Sequence, residues 1–329
     1  MDPSKMKIPV IKDMTVDNIT DNTIAINSSC PDPRTKYILE QIVRHLHDLA
    51  RETRLSWHEW MAGIKFLTEV GQTCTDVRQE MVLLSDVLGL SVLVDAIDHP
   101  KPPNSTEGTV LGPFHTLEAE MMANGELLSH DDGGEPCIIA CTVKDTQGKP
   151  ISGVKVDIWE TDSTGHYDVQ HPDRDGPDGR AIMESDENGE FWFKAIKPVP
   201  YPIPHDGPVG KLLKILHRHP YRPSHVHFMF EKSGYDHLIT SLYLRHDPYE
   251  TSDAVFGVKD SLLVSFEPMD AATVKKYGVG EDQEILEYDF VLVTDEETKK
   301  LREANSIAAL QKLGIKAKLV NSLPVPDVD

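Results

Sequence analysis

Two histidines, His225 and His227, stand two residues apart in RPSHVHFMF (222–230), a run otherwise made of strand and core residues. In an extended chain residues i and i+2 share a face. The two imidazoles therefore look one way, about 7 Å apart at their Cα atoms by strand rise, while Val226 and Phe228 look the other. Such a pair can converge on one metal ion, or it can be two interior histidines bonded to carbonyls. Two tyrosines carry the same double meaning. Tyr167 follows Gly165 and His166 in STGHYDVQHPDRDGPDGR (163–180), and Tyr201 lies between Pro200 and Pro202 in a second Gly- and Pro-dense segment, 197–228. Prolines fix φ and hold the preceding residue extended, so Tyr201 is rigidly placed. Alone, each tyrosine reads as a loop packer with its hydroxyl in water. With the histidines they make a hard oxygen and nitrogen donor set. Phenolate oxygen suits a ferric ion, whereas zinc prefers Cys, His or carboxylate. Two phenolates and one hydroxide would also leave a buried Fe(III) electrically neutral.

The elements that must position these residues change character along the chain. Residues 1–34 are polar and read as an extended arm. From Thr35, TKYILEQIVRHLHDLARETR repeats apolar residues at the helical period. Ser56 to Glu59 is a capping box opening a second helix, TDVRQEMVLLSDVLG gives a third ended at Gly89, and SVLVDAID a fourth. A Pro- and Gly-bearing linker at 101–109 follows. Beyond it, short alternating runs at 136–145, 154–162, 189–198, 224–232, 237–245 and 261–268 are separated by turn signals, the pattern of a β-sandwich or barrel. A last helix is expected over 294–314, opened by a capping box from Thr294 to Glu297. The fold class is α+β, with an arm at 1–34, a helical segment at 35–100, a β-sandwich at 101–293 and a C-terminal helix and tail at 294–329. Trp57, Trp60, Trp159 and Trp192 are expected in packing roles, and His166, His205, His217 and His219 in loops or at the surface.

The 329-residue chain carries a net charge of −21, which argues against nucleic acid or an anionic membrane as its main partner. Four cysteines are too few and too scattered for a disulfide framework. Cys137 and Cys141 would share a strand face about 13 Å apart, too far to bridge. No window reaches the ~18 apolar residues a membrane helix needs. The N-terminus lacks a signal peptide's apolar core. A cytoplasmic protein without membrane insertion is expected.

VDIWETDSTGHYDVQ (156–170), KPVPYPIPHDGPVGKLL (197–213), HPYRPSHVHFMF (219–230) and VFGVKDSLL (255–263), in that order, resemble the intradiol ring-cleaving dioxygenases. LGPF at 111–114 and the helical segment ahead of it fit too, so the resemblance spans about residues 35–290. It implies a β-sandwich catalytic domain behind a helical dimerisation segment. It implies one non-haem Fe(III) per subunit held by Tyr167, Tyr201, His225 and His227, with O2 as co-substrate. Arg222 is implied as an active-site cation and Tyr201 as a ligand that the diol displaces. A homodimer through the N-terminal helices, able to hold phospholipid tails, is also implied. Within the family, YPIPHDGPVG, VFGVKDSL and LLSD (83–86) look most like hydroxyquinol 1,2-dioxygenases, which convert 1,2,4-trihydroxybenzene to maleylacetate. That branch implies a pocket of Leu83, Asp86, Leu111, Gly112, Pro113, Phe114, Ile203, Pro204 and Val255. Ser241 joins them with a departure, since the family often has Gln (catechol type) or His (hydroxyquinol type) there. The rival readings are a catechol 1,2-dioxygenase giving cis,cis-muconate, a transthyretin-like binding module without chemistry, and a zinc hydrolase, which lacks an obvious third ligand.

Overall fold

A computed structural model describes residues 12–326 apart from 172, 175 and 281. The chain forms two compact units. Among the described residues, one comprises those up to 65 and from 303 on, the other those between 66 and 302, so the division falls inside two helices.

In the first unit, part of the expected arm is helical: α1 spans Ile19–Asn27. Residues 1–11 lie outside the described residues. Helix α2, Pro33–Glu52, starts where Asp32 accepts a hydrogen bond from the Thr35 amide at 2.6 Å and Pro33 takes the first turn. Thr20 of α1 meets His47 and Arg51 of α2. The stripe Ile38, Leu39, Ile42, Leu46 and Leu49 on α2 stays exposed within the chain. Helix α3, Trp57–Thr73, opens on the expected capping box, with Glu59 accepting from the Ser56 amide at 2.8 Å. Trp57 and Trp60 are exposed, against the expected packing role.

The second unit continues with α4 (Glu80–Val87) and α5 (Leu90–Asp98). The third helix is shorter than its sequence pattern because Thr75 and Arg78 close a turn ahead of it. Next come β1 (Pro136–Asp145), β2 (Lys155–Trp159), β3 (Arg180–Glu184), β4 (Glu190–Ile196) and β5 (Tyr201–Pro202). Helix α6 (Pro208–Ile215) precedes β6 (Tyr221–Arg222), β7 (His225–Glu231), β8 (Leu238–Leu244), β9 (Leu263–Val264) and β10 (Glu267–Pro268). Helix α7 (Ala271–Tyr277) and β11 (Glu284–Leu292) complete the set. One sheet runs β10-β11-β1-β4 and the other β3-β2-β7-β8-β9. A single apolar cluster draws on both: Ile139, Phe191 and Phe290 from the first meet Val226, Phe228 and Phe230 from the second. The Phe230 and Phe290 rings lie 4.5 Å apart. This is a β-sandwich core. Cys137 and Cys141 are buried in its first sheet, Cys30 and Cys74 half-buried, and all four are free.

Past the sandwich, α8 (Asp295–Lys312) opens on the expected box, Glu297 accepting from the Thr294 amide at 3.0 Å. A hairpin that the sequence reading did not foresee follows, β12 (Ala317–Val320) and β13 (Leu323–Pro326). Its β13 packs on α2, where Arg34 donates to the Pro324 carbonyl at 2.6 Å and Val325 is buried. Truncation after Val293 removes this cover from α2 and leaves every site residue in place. The expected result is retained oxygen uptake with a thermal midpoint lowered by about 5 °C. Loss of activity in a folded truncation would give the segment a role at the site.

Candidate active site

Strand register brings the chemistry-bearing residues together. Within β7, His225 and His227 share a face, and β8 sets Tyr243 opposite His225 and Ser241 opposite His227. On the other side β2 sets Trp159 opposite His227. The two-residue ladder of β5 and β6 pairs Tyr201 with Arg222. Tyr167 sits in extended backbone before a single 3-10 turn, its amide bonded to the Gln170 side chain at 2.9 Å. Gly165 has φ +80°, and a Cβ there would lie 2.9 Å from the Tyr201 Cβ. Only glycine lets the two tyrosine-bearing loops approach this closely.

Four donor atoms converge. The Tyr167 and Tyr201 hydroxyls are 3.0 Å apart, the Tyr201 hydroxyl is 3.4 Å from His225 Nε2, and the two Nε2 atoms are 3.1 Å apart. Atoms bound to one ion at about 2.0–2.1 Å stand about 2.9–3.4 Å from one another between octahedral and tetrahedral angles. The three separations are those of neighbouring donors on one metal ion. Among the described residues no cluster of three or more His, Cys, Asp or Glu side chains could hold a metal. A metal at this point would have to draw on the two phenols, a donor chemistry that suits a hard ferric ion better than zinc.

Electrostatics and outer contacts favour the same arrangement. His225 Nδ1 donates to the Pro223 carbonyl at 2.7 Å, which leaves a lone pair on Nε2. Ser241 Oγ lies 2.8 Å from His227 Nδ1. Burial, then the Arg222 charge, lowers the His225 pKa well below its ordinary value; burial and then His225 do the same to His227. Both rings are thus held neutral. Burial raises both tyrosine pKa values, and the Arg222 charge pulls them back. Trp159 stacks on His227 at 4.7 Å and 6°, and Phe114 on Tyr167 at 4.9 Å. Behind Trp159, His115 meets it edge-on and lies 3.1 Å from Asp157.

The remaining expected residues fall in two groups. Leu111 and Phe114 pack with Tyr167 and Tyr201, and Gly112 backs onto the His227 ring with Pro113 half-buried beside it. Leu83, Ile203 and Val255 join a second apolar cluster with Val87 and Val110. A cleft of about 530 Å3 is lined in part by His166, Val169 and Gln170 around Tyr167 in the chain, by Ile203 and His205 just after Tyr201, and by Phe114. Leu83, Asp86 and Val255 are not on its lining. Asp86, one turn along α4 from Leu83, is buried with neither carboxylate oxygen hydrogen-bonded. Burial raises its pKa, offset in part by nearby Ser91 and Arg222. The structure places Ser241, expected on the substrate's side, at the back of His227, where it orients the ring. Trp159, Tyr243 and Asp253 at the site were not foreseen. Trp159 lies within the quoted motif 156–170 that carries Tyr167, but its pairing with His227 becomes visible only in the register of β2 on β7. His166 and His205 lie exposed on the lining of that cleft, His217 is exposed and His219 half-buried.

The comparisons with known proteins agree with this geometry. Residues 32–106 match the family described as catechol dioxygenase N terminus, and residues 110–294 the dioxygenase family. The chain is 71% identical to an intradiol ring-cleavage dioxygenase, hqdA, of Aspergillus niger over the whole of both chains. It is 45% identical to a 6-chlorohydroxyquinol 1,2-dioxygenase of Cupriavidus pinatubonensis, covering 84% of this chain and 96% of that one. A solved hydroxyquinol 1,2-dioxygenase of Pseudomonas putida superposes with a TM-score of 0.77 at 42% identity, over 85% of this chain and 99% of the other. The phenol and imidazole donors, set in a sandwich that these proteins share, make this chain an enzyme of the intradiol ring-cleavage dioxygenase family.

Proposed function

We propose that the protein uses O2 and one Fe(III) per subunit to cleave an ortho-diphenol between its hydroxyl-bearing carbons, with hydroxyquinol as the preferred substrate and maleylacetate as the product form. The observation that carries the reading is the convergence of Tyr167, Tyr201, His225 and His227 on one point. Ferric iron bound there supplies a Lewis-acidic, redox-active centre at which a chelated diol and O2 can react.

The chain's own residues then have separable tasks. His225 and His227 are fixed by Pro223 and Ser241 and offer neutral nitrogen. Tyr167 is locked by Gln170 and by its stack on Phe114, which suits it to remain a ligand throughout. Tyr201 would be the donor that gives way to the diol, its phenolate oxygen then being the acceptor for one of the diol's protons. No separate general base is then required for that proton. Arg222, buried and charged, stabilises the negative charge that develops on the ring. Burial acts against that charge, and Asp253, Tyr243 and Tyr201 together outweigh it.

For the substrate, a third hydroxyl entering an apolar wall needs a polar partner. Asp86 and Glu160 are the carboxylic acids buried without a hydrogen-bond partner among the described residues. Of these, Asp86 lies one turn from Leu83 and feels the Arg222 charge. Asp86 is therefore assigned to the third hydroxyl. Similarity to enzymes named for hydroxyquinol supports the same choice. A second copy of the chain is proposed to cover the exposed stripe of α2. Among the described residues no helix is long and apolar enough to cross a membrane.

Oxygen uptake against hydroxyquinol, catechol, 4-methylcatechol and protocatechuate tests the assignment. The kcat/KM for hydroxyquinol is expected to exceed that for catechol by about tenfold or more, the range one well-placed hydrogen bond supplies. A catechol value above that of hydroxyquinol would overturn the substrate. Purified protein that is colourless and iron-free would overturn the iron reading itself.

A further inference from the structure

We propose that Asp253 and Tyr243 are positioning residues for ring cleavage, a two-point clamp that turns only the Nη1 hydrogens of Arg222 toward the iron site. The inference rests on the reading of Arg222 as the active-site cation.

A guanidinium has five N–H donors in a rigid fork. Arg222 Nε donates to Asp253 Oδ1 at 3.1 Å. Its Nη2 donates to Asp253 Oδ2 at 3.3 Å and to the Tyr243 hydroxyl at 2.9 Å. Three of the five donors are thereby committed to Asp253 and Tyr243. The two on Nη1 remain, and Nη1 lies 2.9 Å from His225 Nε2. When a metal takes that lone pair, both Nη1 hydrogens are left for the substrate, in a direction the other three bonds have already fixed.

The clamp is itself held from behind. Asp253 Oδ1 also accepts from the Val255 amide at 3.2 Å and Oδ2 from the Gly257 amide at 2.9 Å, so the loop wraps around the carboxylate. Within that loop Phe256 has φ +60°. A bulky side chain in the left-handed region is strained and persists only where its surroundings over-determine it. Arg218 supplies part of that constraint, donating to the Val87 and Ala254 carbonyls at 2.7 and 2.8 Å and lying 4.9 Å from the Phe256 ring centre. Thr109 donates to the Gly257 carbonyl at 2.8 Å, which leaves the Tyr243 hydroxyl, 3.3 Å away, to donate to Thr109 while accepting from Arg222. A Cβ on Gly257 would lie 2.5 Å from the Tyr243 hydroxyl and 2.9 Å from Arg222 Nη2. The backbone is packed directly onto the clamp, and Asp253 and Arg222 are both buried.

A role confined to neutralising a buried cation would affect stability and iron loading while leaving turnover per iron unchanged. A positioning role should lower kcat with KM little altered, because the interaction with Arg222 strengthens only as charge develops on the ring. The test compares Asp253→Asn, Tyr243→Phe and Arg222→Met with the parent enzyme. For Asp253→Asn the expected result is iron content and hydroxyquinol KM within twofold of parent, with kcat per iron down at least about tenfold. In the metal-free protein, exchange of the Arg222 Nε–H with solvent, followed by NMR and assigned by its loss in Arg222→Met, is expected to quicken at least tenfold in Asp253→Asn. A parental kcat and parental exchange in Asp253→Asn, alongside an inactive Arg222→Met, would overturn the clamp and leave the Arg222 reading standing. A fully active Arg222→Met would overturn the Arg222 reading instead. Should Asp253→Asn not fold, Tyr243→Phe leaves every loop bond to Asp253 intact and decides: lowered kcat at parental iron content supports the clamp, and parental kcat overturns it.

Discussion

His225→Ala is expected to purify with less than about 1% of the parental iron and a similar fraction of its oxygen uptake, while Tyr201→Phe keeps most of its iron. The asymmetry follows from where each donor sits. His225 Nε2 is the atom nearest the others, within 3.4 Å of Tyr201, His227 and Arg222 together. Its ring is fixed through Nδ1 on the Pro223 carbonyl, so no neighbouring group can swing in to replace it. Altering an outer partner of a metal ligand already costs about 10–100-fold in affinity, and deleting the ligand itself costs more. The Arg222 charge, left facing the gap, would further oppose a cation. Tyr201 differs. Its ring belongs to the apolar cluster of Phe114, Trp159, Tyr167 and Met229, so phenylalanine keeps the packing and loses one oxygen. Three donors remain for iron, while the proton acceptor that the departing diol proton requires is gone. A fall in kcat/KM of about 100-fold is expected, the lower range for removal of an acid–base group. Metal analysis and steady-state oxygen uptake on the same preparations check both halves. Equal iron loss in the two variants would remove the distinction between a fixed and a displaceable ligand.

What could be read without coordinates was whatever the chain encodes at short range. The capping boxes at Ser56–Glu59 and Thr294–Glu297 form as their spacing requires, because a hydroxyl and a carboxylate three residues apart meet across one turn. The alternation in RPSHVHFMF places His225 and His227 opposite Val226 and Phe228, which join the inter-sheet core. Elements whose signals conflict were missed. Helix α6 lies in a segment whose prolines read as loop residues, yet Pro208 occupies the first helical turn, where a missing N–H costs nothing. Strand β11 interleaves Glu284, Glu287 and Asp289 with its core residues, and it pairs in parallel with β1, which lies far back in the chain. Strand β3 follows an Asp- and Gly-rich loop that masks its start. The exposure of Trp57 and Trp60 in α3 could not be read from the helical period, which shows which residues share a face and not what covers it. Asp253 escaped for a related reason: its meaning is the bond to Arg222, thirty-one residues away, and no local pattern announces such a pair.

Replacing Asp86 should change what the enzyme prefers more than whether it works. The carboxyl of Asp86 is buried on α4, where no hydrogen bond of good geometry reaches either oxygen and the Ser91 hydroxyl and the Arg222 charge offset its burial only in part. An unsatisfied buried polar group of this kind destabilises the folded state by about 1–3 kcal/mol. Asp86→Leu, close in size and apolar, is therefore expected to raise the thermal midpoint by a few degrees, since Leu83, Leu84 and Val87 around it on α4 are already core residues. The same change removes the polar partner assigned to the third hydroxyl of hydroxyquinol, while catechol, which has no such hydroxyl, loses nothing. A site built to hydrogen-bond a hydroxyl discriminates strongly in its favour, and an apolar wall in its place does not. The ratio of kcat/KM for hydroxyquinol to that for catechol is expected to fall about tenfold, toward parity. Iron content should be unchanged, because Asp86 makes no contact with Tyr167, Tyr201, His225 or His227 in the hydrogen-bonded set. Asp86→Asn, which keeps the shape and a hydrogen-bonding group, should restore part of the preference without the gain in stability. Steady-state oxygen uptake with both diols, alongside a thermal melt of each variant, separates the two effects. A stabilised Asp86→Leu whose preference matches the parent would leave Asp86 as an uncompensated buried acid and move the third hydroxyl elsewhere in the pocket.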